Sequence, residues 1–487
     1  MGVGNWGAVV VKFSDIVDRS LLAANGLKDF ATGVFHPTVR LGVTGLSRSG
    51  KTVFITALVN ALLKGARLPV FEAHAKGRIT RCYLEPQPDD ELPRFAYEDH
   101  IAALTAQNRH WPEGTKRISQ LRLTIEYEPQ GLIARNFHGG KLHLDIVDYP
   151  GEWLLDLPLM ALSYQQWSNA TVAAARRAPR AAHAKDWLHH LSTFTPEALA
   201  EEQVAVRSAQ LFTSYLERCR GSDVSLSTLP PGRFLMPGDL AGSPLLSFAP
   251  LDLAPEHEMT PGSMAGLMAR RYDSYVSKIV KPFFYGHFAR LDRQIVLVDA
   301  LSALNAGAAA VSDLKTALAD VMSCLRLGAN SVVSELFGKR TDRVLFAATK
   351  ADLLHHGDHD KLEAILRALV DEAATRAAFD GAIQDVSAMA AIRATREATV
   401  KQNREVLACI VGTPEKGETI SQSVFDGEQE AAIFPGDLPA MASQALDGSL
   451  EGKIHFVRFR PPQQGGETFP HIRLDRAIEF LLGDRFT

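Results

Sequence analysis

Eight residues near the start of the chain, GLSRSGKT from Gly45 to Thr52, fit the pattern G-x-x-x-x-G-K-[ST]. That spacing suits one piece of chemistry, the capture of a polyphosphate. Backbone N–H groups of the loop, those of Ser47, Arg48, Ser49 and Gly50 included, point at an anion, and the start of the following helix adds positive potential. Gly45 and Gly50 allow the tight turn and the close approach of phosphate oxygens. Lys51 supplies a cation to the β- and γ-phosphates, and the Thr52 hydroxyl is a ligand for Mg²⁺. An ordinary glycine turn is the bland alternative, and the setting argues against it. VRLGVTG before the loop reads as a buried strand, and KTVFITALVNALLK after it as a helix apolar nearly all round.

Further chemistry follows in chain order. LDIVDYPGE ends a strand with a D-x-x-G pattern. Asp148 would hold Mg²⁺ through water, and the Gly151 N–H would sense a γ-phosphate. FAATKADL ends another strand with Thr349-Lys350-Ala351-Asp352. Guanine presents N1–H and N2–H₂ donors, and one carboxylate accepts both. Adenine has an acceptor at N1 and is rejected. The Lys350 stem can cover a face of the base. The bland reading makes Asp352 a helix-start residue placed by the dipole. Ser387-Ala388 stands after the next strand, where a backbone N–H can support the guanine O6. Between the first helix and the D-x-x-G strand, Thr115 is the preferred switch threonine and metal ligand, with Thr80 as second candidate.

This order resembles a Ras-like GTPase. Thr349 stands where N-K-x-D has Asn, as in dynamin-like proteins, and Met389 replaces the Lys of S-A-K. Two spacings depart from that pattern. The stretch between the phosphate loop and Thr115 is long, and QIVLVD begins far beyond Gly151. The chain must therefore carry a large insertion after the second switch.

These residues need strands that end together and helices that begin there. QIVLVDAL, DRVLFAATK and AIQDVSA read as buried strands alternating with the helices DLKTALADVMSCL and KLEAILRALVDEAATRA. That alternation predicts an α/β, Ras-like doubly wound sheet. ISQLRLTIEY and GKLHLDIVDYP read as a hairpin, and 65–115 as irregular with one helix near His100 to Asn108. The expected organisation is an N-terminal helical extension (1–35), the first part of the nucleotide-binding domain (36–153) and a mainly helical insertion (154–285). The second part of that domain (286–410), a strand-containing insertion with HFVRFR (411–470) and a closing helix (471–487) complete it.

The 487 residues form a soft prior for several domains or one with large insertions. Net charge is -4 without a basic stripe, which argues against nucleic acid as a partner. Four scattered cysteines exclude a zinc ribbon and suit a reducing compartment. No apolar run reaches the ~18 residues of a transmembrane helix. The expected location is therefore cytoplasmic, with attachment to the inner membrane surface open. HHGDHD, His355 to Asp360, has metal-binding composition but reads first as a solvated loop with a helix cap.

GLSRSGKT, RFAYEDH, WPEGTKRISQLRL, DIVDYPGEWLLDLPL, PGDLAGSPLL, KPFFYGHFARLDRQIVLVDALSALNAG, VFDGEQEAAIFPGDLP and PHIRLDRAIEFLLGD together resemble the YcjX-like family of bacterial P-loop proteins over most of the length. The family is called ATPase in places, yet is similar in fold to Ras-like and Gα-like GTPases. The resemblance implies GTP and GDP as ligands, a link to envelope stress, and a membrane-associated protein effector that it does not name. Where Ras has the water-orienting Gln, this chain has Glu152, so slow hydrolysis is expected, with Lys51, Thr115 and Glu152 carrying it. Arg48, Arg81, Arg94 and Arg117 are candidates for an arginine in cis, each more simply a surface residue. An ATPase or kinase, and a scaffold that never turns its nucleotide over, remain as alternatives.

Overall fold

Strand β1 (Thr38–Gly45) lies at the centre of a seven-stranded sheet in a computed structural model. The structure describes residues 37–45, 49–130, 140–221, 226–330, 341–377, 382–402, 405–420, 423–463 and 465–486. The expected N-terminal helix, Ser47 and Arg48 lie outside the described residues. Across the sheet the order is β2 (Ile79–Glu85), β3 (Ser119–Tyr127), β4 (Gly140–Asp148), β1, β5 (Arg293–Val298), β6 (Arg343–Ala348) and β7 (Ile383–Ala388). β4, β1, β5, β6 and β7 are parallel, whereas β3 pairs antiparallel with both β4 and β2. The fold is α/β as expected, and the parallel strand ends gather on one edge, where ligands bind in such sheets.

The longer helices are α1 (Lys51–Leu63), α2 (Tyr97–Thr105), α3 (Tyr164–Ala175), α4 (Ala181–Leu191), α5 (Glu202–Arg220), α6 (Met264–Tyr275), α7 (Ala308–Asn330), α8 (His359–Ala377) and α9 (Leu474–Leu482). They cover both faces because each strand alternates. Ile295 and Leu297 of β5 join Phe54, Leu58 and Ile478 in one core. Val296 and Val298 join Leu314, Leu318 and Leu366 in the other. That second core does not stop at the sheet. It runs on through Phe283, Trp153 and Tyr275 to Trp167, Phe212 and Trp187 of the helical insertion. The insertion therefore shares its hydrophobic interior with one sheet face.

Two expectations need correction. The stretch from 65, irregular on its sequence, contains edge strand β2, ITRCYLE. Its residues are only half buried, so no strong apolar alternation marks it. HFVRFR, strand-like on its sequence, forms no strand, and Phe459 makes only an isolated bridge with Pro414. Ile454, Val457 and Phe459 are anchored individually in the core instead. The small antiparallel sheet lies earlier, formed by β8 (Arg396–Gln402), β9 (Glu405–Gly412) and the short strand Ala431–Ile433. The helix Met264–Tyr275 runs on through a π-helical turn, Val276–Val280, into Lys281–Gly286 without leaving helical backbone.

Candidate nucleotide site

β1 ends at Gly45, and α1 begins after Gly50, whose φ of 84° is the left-handed conformation glycine supplies cheaply. Lys51 Nζ donates to Gly45 O at 3.2 Å, so the ammonium lies folded over its own loop. Ser49 is buried, and its Oγ has no partner among the described residues. A buried hydroxyl without a partner among the described residues, beside a cation turned onto Gly45 O, is an arrangement that suits an anion.

Thr52, Thr115 and Asp148 meet at the end of β4. Thr115 Oγ1 donates to Asp148 Oδ2 at 2.5 Å and lies 3.3 Å from Thr52 Oγ1. Burial pushes the Asp148 carboxyl up to about 6, against the opposing effects of the Thr115 hydrogen bond and the Lys51 charge. Its Oδ1 is buried without a partner among the described residues. Two hydroxyls and a carboxylate with a spare oxygen fit a small hard cation such as Mg²⁺. Thr80, the second threonine candidate, stands exposed on β2.

Gly151 packs directly on the phosphate loop. A Cβ there would lie 1.7 Å from Gly45 O and 3.1 Å from Lys51 Nζ, so no other residue fits without displacing the loop. The 3₁₀-helix Gly151–Ala161 that follows is embedded in the insertion. Glu152 is 7% exposed and pairs with Arg220 at the end of α5, 3.4 Å away. Trp153 Nε1 donates to Met236 O at 3.0 Å, and the Arg233 guanidinium lies over the Trp153 ring. Asp156 accepts from Gly232 N and from Tyr275 Oη, each at 2.6 Å, and burial raises its carboxyl to about 6.

The D-x-x-G turn is also tied to the sheet. Tyr149 Oη lies 2.5 Å from Thr44 Oγ1 and accepts from Gln294 Nε2 at 3.2 Å. Its ring packs edge-on against Phe283 of the insertion. A threonine and a glutamine inside otherwise apolar strands are the sequence signal for this network, and no nucleotide motif includes them.

At the other end of the edge, the turns after β6 and β7 are stitched together. Ala351 N donates to Met389 O at 3.1 Å, and Met389 N to Ala348 O at 2.8 Å. Thr349 Oγ1 donates to Val298 O at 3.4 Å. Lys350 adopts φ 62°, and its Nζ reaches Asp299 Oδ2 at 2.5 Å. Asp299 also caps the next helix by accepting from Ser302 N. Asp352 is buried, which pushes its carboxyl up to about 6, while the hydrogen bond from Ala394 N at 2.9 Å opposes this. Ser387 Oγ is buried without a partner among the described residues. Ala388 N makes a long 3.4 Å contact to Glu363 Oε2.

The structure thus brings Gly45, Ser49, Gly50, Lys51, Thr52, Thr115, Asp148 and Gly151 together, and Thr349, Lys350, Asp352, Ser387 and Ala388 in a second group on the same sheet edge. Glu152 instead faces Arg220. Of the arginine candidates, Arg94 pairs with Glu98, Arg81 lies over the Tyr83 ring and Arg117 is exposed. Arg220 was not among them, because the sequence alone gives no sign that α5 ends beside Gly151.

Comparison with known proteins adds independent findings. The model of the YcjX-like family, DUF463, matches residues 39–486. A protein of Escherichia coli (strain K12) named "Ras-like GTPase YcjX" is 37% identical over 458 residues, covering 92% of this chain and 96% of that protein. A protein of the same name from Shewanella oneidensis is 34% identical over 473 residues, covering 92% and 94%.

Proposed function

Because this chain belongs to the YcjX-like family, we propose that it is a Mg²⁺-dependent guanine-nucleotide switch that hydrolyses GTP to GDP slowly. Two relatives carry the name Ras-like GTPase, which supports a GTP hydrolase. The observation that carries the reading is the Thr52–Thr115–Asp148 cluster beside Lys51. It joins the phosphate loop, the first switch and the D-x-x-G turn through three oxygen-bearing side chains.

In this reading Lys51 leaves Gly45 O for the phosphates, and Thr52, Thr115 and Asp148 hold the metal. The bound Mg²⁺ supplies charge neutralisation at the β- and γ-phosphates. Gly45, Ser47, Arg48, Ser49 and Gly50 cradle the phosphates. Asp352 reads the guanine edge, Lys350 covers the base, and Thr349, Ser387 and Ala388 shape the pocket. Gly151 reports the γ-phosphate to the insertion through the helix that follows it. Glu152 accepts a proton from the attacking water only when Arg220 releases it, which makes basal turnover slow. We place the switch in the envelope or general stress response, in the cytoplasm or at the inner membrane surface, on the family resemblance. No helix among the described residues is long and apolar enough to cross a membrane.

The Glu152–Arg220 pair also favours one competing reading, a nucleotide-bound scaffold without turnover. Titration of nucleotide-free protein with labelled GTP and ATP in Mg²⁺, followed by single-turnover phosphate release, separates the readings. GTP preference with slow release supports the switch. Equal ATP binding promotes an ATPase or kinase, and tight GTP retention without phosphate release promotes the scaffold.

A further inference from the structure

We propose that His355, His356 and Glu397 form a site for a divalent transition-metal ion of the Zn²⁺ type, which clasps the turn after β6 to the start of β8. The ligand atoms of all three residues lie within 4.8 Å of one another. His356 Nδ1 stands 2.6 Å from Glu397 Oε2, and His355 Nε2 stands 3.8 Å from the same oxygen. The two imidazole centroids are 4.2 Å apart. In a tetrahedral site with ligands at about 2.0–2.1 Å, neighbouring donors are separated by about 3.3 Å. The first distance must open and the second close, each by less than about 1 Å.

The chemistry of the donors selects the ion. Two neutral imidazoles and a carboxylate suit Zn²⁺ and its neighbours, whereas Mg²⁺ prefers oxygen alone. The cluster is half-open, so water can complete the coordination. Glu397 is oriented for this role. Arg393 holds its Oε1 at 3.2 Å, leaving Oε2 to the histidines, and Arg393 Nε is fixed on Thr395 O at 2.9 Å. Such outer partners commonly orient metal-ligating carboxylates. His355 Nδ1 has a long 3.4 Å contact from Gly357 N, which the tautomer bound to metal through Nε2 gives up. The rest of HHGDHD turns elsewhere. Asp358 pairs with Lys361, and His359 Nε2 faces Leu354 O.

The site needs no nucleotide to form, yet it fastens two segments that already meet at Asp352. Ala394 N donates to the Asp352 carboxylate, and Thr395 Oγ1 donates to its backbone oxygen. A bound ion adds a third tie between the same pieces of chain.

The test is Zn²⁺ titration of the full chain against a chromogenic chelator, with excess Mg²⁺ present to occupy oxygen-rich sites. One Zn²⁺ per chain is expected. His355→Ala, His356→Ala and the near-isosteric Glu397→Gln should each weaken binding by about tenfold or more. His189→Ala, an exposed histidine on α4, should leave it unchanged. Zn²⁺ should raise the Tm of the unmodified chain and of His189→Ala, and not that of the three site variants. No stoichiometric Zn²⁺, or binding that none of the three site variants weakens, overturns the proposal.

Discussion

Arg220 Nη1 stands 3.4 Å from Glu152 Oε1, joining the last residue of α5 to the residue that follows the D-x-x-G glycine. The pair spans the seam between the nucleotide edge and the inserted helices. It makes Glu152, on our reading the proton acceptor for water, answerable to a residue of the insertion.

Arg220→Ala should therefore raise single-turnover GTP hydrolysis severalfold, by freeing Glu152. It should also lower stability by about 1–2 kcal/mol, because the Glu152 carboxylate stays largely buried without its partner. Glu152→Ala should lower turnover about tenfold or more, and the double variant should match Glu152→Ala. If Arg220→Ala slows hydrolysis as strongly as Glu152→Ala, the guanidinium acts on the phosphate and the restraining role is wrong.

Asp352→Asn should weaken GTP binding on the order of 10²-fold and shift preference toward xanthine nucleotides, since an amide accepts only one of guanine's two donors. Equilibrium competition among GTP, ATP and xanthosine triphosphate reads this directly. Unchanged selectivity would remove Asp352 from the base pocket.

Burial holds the Asp352 carboxyl at about 6 in the free protein, above its ordinary value, with the Ala394 N–H opposing. A raised carboxyl favours the protonated folded state. Its stabilising contribution is full below the ordinary carboxylate range and is lost as pH rises through about 6. Guanine binding has the opposite sign, because it needs the ionised acceptor. Affinity for GDP should fall about tenfold between roughly pH 7 and pH 5, with proton release on binding, and Asp352→Asn should flatten that profile. Calorimetry in buffers of different ionisation enthalpy measures the proton count.

Thr115→Ala removes the hydroxyl between Asp148 and Thr52. GTP should dissociate about tenfold faster in Mg²⁺, with a smaller change for GDP, and chelation of Mg²⁺ should abolish the difference between variant and parent. Stopped-flow release of a fluorescent nucleotide follows both rates. An equal effect on both nucleotides would deny Thr115 its switch role.

Tyr149→Phe deletes the hydroxyl shared by Thr44 and Gln294. All three side chains are buried, so the loss should cost about 1–2 kcal/mol in chemical denaturation. A neutral outcome would mean that Thr44 and Gln294, which already bond each other, satisfy themselves.

The parallel strands and their helices were legible because the strands are short continuous apolar runs, as in β5, and the helices repeat apolar residues at helical spacing, as in α8. The grouping of the motif residues was legible because each motif follows or closes a strand of the same sheet. Edge strand β2 was not, since half-buried residues leave no clear period. HFVRFR misled for the opposite reason, carrying strand-like composition in a segment anchored by separate buried side chains. Arg220, Tyr275 and Gly232 could not be found by reading along the chain. Their partners Glu152 and Asp156 lie scores of residues away, and only packing brings them together.

The continuous core under β5 and β6 has a bearing on modularity. Phe283, Trp153 and Tyr275 belong to the same apolar mass as Val296 and Phe346. Excising 154–285 as a cassette would open the part of this core that Phe283 and Tyr275 close, while α7 and α8 stay on the rest of the face, and the excised piece would lose the continuation of its own interior. Calorimetry of the intact chain should accordingly show the inserted helices and the sheet melting in a single endotherm. A lineage that acquired these helices could not later discard them without rebuilding the wall of the fold.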